Sequence, residues 1–247
     1  MTEPAADDPA ATLQLADWRR RVADLYAEVR RLIGTDHDAA LELWRTTREA
    51  LFREHPQSPV PSTKRDEFRA HHYPLDAALR FEVAVEADDA AGPEATGTTI
   101  AATELDFGND VPASPRRSGP GIATAMAMEL PVSAGGTMAM RRIGHVEIPF
   151  PGGPRRLGVF WMSGYAGGVF IPFRDATNGS ETYGAGRYLL DAAKSADLGG
   201  DPERGTVVLD FNFAFHPSCA FDSKWACPLA PPENRLDFPI RAGERLA

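Results

Sequence analysis

The chain is poor in the residues that define several protein classes. It has two cysteines, Cys219 and Cys227, and three lysines beside 23 arginines in 247 residues. Two cysteines cannot build the disulfide framework of a small secreted scaffold. No run of about 18 apolar residues occurs, so no transmembrane helix is expected. The opening MTEPAADDPAATLQL has neither a basic n-region nor an apolar h-region. A secretory signal is therefore not expected, and the cytoplasm, where both thiols stay reduced, is the expected compartment. No basic run exceeds Arg19-Arg20-Arg21, and the net charge is −9. Nucleic-acid binding needs a cationic surface that displaces counterions, so neither nucleic acid nor membrane is an expected partner. GxSxG, Walker, HExxH and kinase signatures are also missing.

The first 110 residues carry the charge: 12 Lys/Arg against 22 Asp/Glu, with 14 against 13 in the remainder. Residues 1–11 read as a disordered tail. Leu15, Trp18, Val22, Leu25, Tyr26, Val29 and Leu32 then recur at alternating spacings of three and four, the helix period. Gly34 reads as the stop, and Thr35 or Asp36 as the cap of a second helix carrying Leu43, Trp44, Thr47 and Leu51. His55-Pro56 ends it. Residues 12–55 thus form a helical hairpin arm, and the apolar stripe on its first helix predicts a homodimer through the N-terminal helices. The proline-rich 56–66 is a linker.

From residue 66 to 247 the pattern is that of a β-rich main domain. Leu79–Glu86 alternates apolar and polar positions. Residues 98–103, 125–132, 137–143, 146–150, 157–162, 168–173 and 207–211 read as further strands, and 104–121 as a long loop. Met126, Met128, Met138 and Met140 alternate and are expected to face the core. Many short strands with no βαβ rhythm predict a mainly β fold, an antiparallel sandwich, roll or barrel, with an N-terminal α-helical hairpin.

Several segments carry a likeness: FREHPQSPV, YPLDAALR, PFRDATNGSETYGAGRYLLDAAKSADLG and VVLDFNFAFHPSCAFDSKWACPLAPPENRLDFPIRAGER. From about residue 42 onward the chain resembles an uncharacterised bacterial family, domain of unknown function 1684. The resemblance carries no established reaction to this chain and leaves its cofactors unknown.

Three constellations are chemically suggestive. Asn178-Gly179 is a strong hairpin signal, and a tight turn there places Arg174 and Asp175 near Thr182, Tyr183 and Arg187. Guanidinium groups grip carboxylate or phosphate, and Gly184 and Gly186 permit close backbone approach, so this is a candidate pocket for an anionic small molecule. Alternatively, the same charges brace the turn. Asp210 and Asn212 end an apolar strand, and Glu233 follows downstream; the two carboxylates are a candidate acid/base pair, or Asp210 and Asn212 fix a loop. His216, Cys219 and Cys227 offer three local ligands in a spacing unlike a zinc site, so no metal is expected and the cysteines read as small buried residues. His71-His72 reads as a solvated loop pair. Two functions stand against each other: a cytoplasmic binder of a small anion, enzymatic or not, and a non-enzymatic scaffold or interaction module.

Overall fold

The computed structural model describes residues 8–88, 126–164 and 167–247. Helix α1 runs Pro9–Leu32 and α2 runs His37–Glu54. Helix α1 starts inside the stretch expected to be a disordered tail. Asp8 caps it by accepting from Ala10 N–H, and Pro9 occupies the first turn, where its missing N–H costs nothing. Residues 1–7 lie outside the described residues. Asp36 caps α2 through Ala39 N–H. Residues 56–66 are folded back on the helices: Ser58 and Val60 are buried, and Arg65 donates to the carbonyls of His55, Pro56 and Val60.

The strands are β1 (His71–His72), β2 (Arg80–Glu86), β3 (Met126–Pro131), β4 (Thr137–Ile148), β5 (Arg155–Met162), β6 (Gly168–Phe173), β7 (Arg187–Asp191), β8 (Gly200–Asp201), β9 (Thr206–Asp210) and β10 (Glu244–Arg245). Strands β1 and β10 pair with each other; the rest form one antiparallel sheet in the order β7-β6-β5-β4-β2-β9-β8, with β3 on β4. The expected mainly β fold with a helical hairpin is the observed one. The two strands expected over 137–143 and 146–150 are a single strand, β4, with a register shift between Arg142 and Gly144. Gly144 has φ +150°, and a Cβ there would lie 2.1 Å from the Glu86 carbonyl, so only glycine fits where β2 joins β4. The strand expected at 98–103 and the loop at 104–121 lie outside the described residues. His71 and His72 are strand, not solvated loop, and the His72 ring packs edge-on against Trp44 at 5.5 Å.

Strands β5 to β7 are buried on both faces. Phe160, Phe170 and Tyr188 join Tyr26, Val29, Trp44 and Phe213 in one cluster, which seats the hairpin on the body. Leu157, Val159, Ile171, Phe173 and Leu189 join Phe211, Leu236 and Ile240 in a second. Met128 and Met138 pack partly buried against the first cluster and Met140 lies fully within it. The Met126 side chain lies outside the described residues.

Candidate functional site

Strand β6 leaves the sheet at Phe173 and β7 returns at Arg187. The connection is a knot of side-chain hydrogen bonds, not the two-residue hairpin expected at Asn178-Gly179. Asn178 Oδ1 accepts from Asp175 N–H at 2.7 Å, while its Nδ2 donates to Thr182 Oγ1 and the Tyr183 carbonyl. Buried Thr182 also hydrogen-bonds Thr177 Oγ1 at 2.8 Å. An asparagine that fastens loop backbone in this way competes with the tight turn that Asn-Gly otherwise favours.

Arg187 and Asp175 do meet, but away from solvent. Both side chains are 0% exposed, and Arg187 Nη2 donates to Asp175 Oδ2 at 2.9 Å. Arg187 also donates to the carbonyls of Ile240, Ala242 and Glu244. Asp175 accepts in addition from Ile240 N–H, Thr177 N–H and Thr177 Oγ1. The guanidinium expected to anchor a ligand therefore fastens residues 240–244, the segment that leads into β10, over the sheet. Burial pulls its pKa down, opposed by Asp175. Gly186, expected to admit a ligand, instead admits backbone: with φ +102°, a Cβ there would lie 2.4 Å from the Phe173 carbonyl.

Arg174 is the exception. Its backbone pairs with Asn234 and Leu236, making it the Cα partner of Arg235. Among the described residues neither guanidinium makes a hydrogen bond or ion pair.

Asp210 and Glu233 do not form a carboxylate pair. Asp210 is fully buried; its Oδ1 accepts from Asn212 N–H and Nδ2, and Oδ2 lies 2.8 Å from His37 Nε2. Burial raises its pKa, with Asn212 and His37 opposing. Asn212 exchanges two hydrogen bonds with the Asp76 backbone, so this pair fixes a loop. Glu233 is exposed, lies against Gly158 of β5 and pairs with Arg142 at 2.8 Å. Strand β5 lies three positions from β9, which separates the two carboxylates by roughly 14 Å of sheet.

Two features escaped the sequence reading. One is the buried Glu244, which takes Arg48 Nε at 2.5 Å and His216 N–H at 2.6 Å. Burial raises its pKa, but Arg48 outweighs this and, with His216 and His72, leaves it at about 2. Burial holds His72 and His216 at about 4, against the pull of Glu244. This cluster joins α2 to the body, with the Arg48 guanidinium 4.3 Å from the Phe52 ring and 4.8 Å from that of Phe215. Its carboxylate lies in a non-periodic C-terminal segment that carries no local signal.

The other is a groove between α1 and α2 of about 720 Å³. Leu13, Leu25, Leu43 and Leu51 line it, beside Asp17, Asp24, Glu28 and Glu54 and a single arginine, Arg21. Leu13 and Leu15 are 70% and 40% exposed, two of the three large exposed hydrophobics among the described residues. A signal was present: Asp17, Asp24 and Glu28 sit seven and four apart, on one helix face.

Among the described residues no helix is long and apolar enough to cross a membrane, and no group of three or more His, Cys, Asp or Glu is placed to hold a metal ion. Residues 120–245 match the model of the family described as protein of unknown function (DUF1684). The chain belongs to this family. The match spans the Arg187–Asp175 brace and the buried Glu244, and it excludes the helical hairpin. A solution NMR structure of an uncharacterized protein from Haloarcula marismortui is similar, with 27% identity, 85% of this chain and 94% of that chain covered, and a TM-score of 0.52. That likeness extends over most of the chain, beyond the part matched by the family model. No curated protein matches.

Proposed function

We propose that this family member is a non-enzymatic interaction module whose α1–α2 groove receives a basic amphipathic segment of a partner protein. The observation that carries the reading is the groove itself: an apolar floor with Leu13 left in water, rimmed by Asp17 and Glu28, which pair with arginines of their own helix, and by Asp24 and Glu54, which make no ion pair among the described residues. A recognition helix seats its apolar face in such a groove, and charge at the rim sets the partner's sign. A second copy of this chain would bring acidic rims together, which favours a basic partner over the twofold dimer. The inward-facing ionic groups support the same reading, since Arg187, Asp175 and Asp210 are occupied in holding loops.

The test is fluorescence anisotropy with labelled amphipathic peptides. A leucine/lysine helix is expected to bind and a leucine/glutamate helix is not. Leu13→Asp removes apolar contact worth roughly 1.5–3 kcal/mol, or about 10- to 150-fold in affinity, and Asp24→Lys weakens binding more at low salt than at high. Equal binding of both peptides, or no loss in Leu13→Asp, would overturn the proposal.

A second reading, a small anion held on the body, draws on the unengaged Arg174 and Arg235. It predicts that phosphate or citrate raises the melting temperature, and that Arg174→Ala abolishes the shift.

A further inference from the structure

Neither reading uses the two cysteines. Cys219 lies in the short turn Ser218–Ala220 and Cys227 eight residues on; both are free and buried. The geometry brings them together. Cys219 N–H donates to Cys227 Sγ at 3.3 Å. The Tyr183 side chain favours the Cys219 thiolate, whereas the Ser133 hydroxyl donates to the Trp225 carbonyl at 2.8 Å. Cys227 is held in place by the β3–β4 turn: its N–H donates to Ser133 Oγ, and its carbonyl accepts from Ser133 N–H. Half-buried Tyr183 and Trp225 flank the pair. A merely space-filling cysteine needs no second sulfur at its backbone N–H.

We propose that Cys219 and Cys227 form a peroxide-oxidisable dithiol, with Cys219 the attacking sulfur and Cys227 the resolving one. The Cys219 thiolate attacks one oxygen of hydrogen peroxide. The O–O bond breaks, hydroxide leaves and takes up a proton, and Cys219 becomes a sulfenic acid. The Cys227 sulfur then attacks the Cys219 sulfur. The S–O bond breaks, and the departing hydroxide leaves as water with the Cys227 proton. Two thiols and one peroxide yield one disulfide and two waters; sulfur loses the two electrons that the peroxide gains.

The asymmetry between the sulfurs assigns the roles. The neighbouring Cys227 side chain draws the Cys219 thiol down to about 6; burial opposes it, and Ser133 and Tyr183 add to it. The same contact and burial push Cys227 up. At pH 7 about nine-tenths of Cys219 is thiolate, against roughly 3% for an ordinary thiol near 8.5. That roughly 30-fold gain is mostly offset by the lower nucleophilicity of a more acidic thiol, a loss of about tenfold. The rate is therefore only a few-fold above that of free cysteine, and the diagnostic readout is the product.

The experiment uses the reduced full chain, a modest excess of hydrogen peroxide, and intact mass with peptide mapping before and after dithiothreitol. The expected product is a Cys219–Cys227 disulfide, two hydrogens lighter, formed with a half-maximal rate near pH 6 and reversed by dithiothreitol. Cys227→Ser is expected to leave a sulfenic acid at Cys219 that dimedone traps, whereas Cys219→Ser leaves Cys227 unreacted. Tyr183→Phe is expected to move the midpoint upward while preserving the disulfide. Wild-type chain that keeps both thiols, or that passes to sulfinic acid without an intramolecular disulfide, overturns the proposal without any need for the variants to fold. Equal dimedone labelling of both serine variants overturns the assignment of roles.

Discussion

Replacing Arg187 by methionine tests whether the buried charges hold the fold. The substitution keeps much of the side-chain volume and removes the guanidinium, leaving the carbonyls of Ile240, Ala242 and Glu244 without their shared donor. Asp175 keeps its hydrogen bonds from Ile240 N–H and Thr177 but loses its countercharge. Breaking one partner of a buried ion pair costs about 3–5 kcal/mol. Orphaned carbonyls, at roughly 1–3 kcal/mol each in isolation, are relieved as residues 240–244 loosen toward water, so the pair figure is the better guide. For a chain of this size that corresponds to a fall of about 6–20 °C in Tm. Arg187→Lys, with a compact ammonium in place of a planar fork, is expected to recover part of the loss. Asp175→Asn combined with Arg187→Met is expected to cost less than the sum of the singles, by about 0.5–3 kcal/mol. Urea unfolding followed by circular dichroism reads all four variants. An Arg187→Met chain within about 1 kcal/mol of wild type would refute the brace, because a side chain free to bind something else would leave stability nearly unchanged.

Two further outcomes follow from the same network. Gly186→Ala is expected to lower the urea midpoint sharply and Gly184→Ala hardly at all, since a Cβ at 186 meets the Phe173 carbonyl at 2.4 Å whereas nothing lies nearer than 3.9 Å at 184; equal effects would contradict the geometry. The stability contributed by His72 and His216 is expected to be complete above about pH 6.5 and to fall toward about pH 4, because both are held neutral in the folded chain and the unfolded chain takes up the extra protons. Glu244 extends the loss below 4.5 toward about 2, since its folded carboxyl stays ionised where the unfolded one protonates; urea midpoints that stay flat from pH 7 to 4 would refute the histidine part.

The fold was legible wherever one face of an element meets water. The three-and-four spacing from Leu15 to Leu32 placed α1, and the alternation of Leu79–Glu86 placed β2, because their exposed faces keep a polar residue at the helix or strand period. Strands β5 and β6 were legible as apolar runs although both faces are buried, whereas β7 was missed because RYLLD holds only three successive apolar residues between two charged ones. The charged residues were legible as a group but not in their purpose. Sequence shows that Arg187 and Asp175 are close along the chain; only the fold shows that residues 240–244 cover them, some fifty positions downstream. Asn178-Gly179 misled for a related reason: the turn propensity was local, and Asp175, Thr177 and Thr182 outbid it with side-chain hydrogen bonds. The groove was not read from the sequence: Asp17, Asp24 and Glu28 share one face of α1, but only the placement of α2 makes them a rim.

The central claim is that recognition belongs to the helix pair and that the charged loop of the body is structural. Hydrogen–deuterium exchange of the full chain, with a leucine/lysine helix and in parallel with citrate, tests it most directly. Residues 9–56 are expected to gain protection with the peptide, while residues 174–187 stay unchanged with either addition. Protection of 174–187 and 234–236 by citrate, with none at 9–56 from the peptide, would contradict the account.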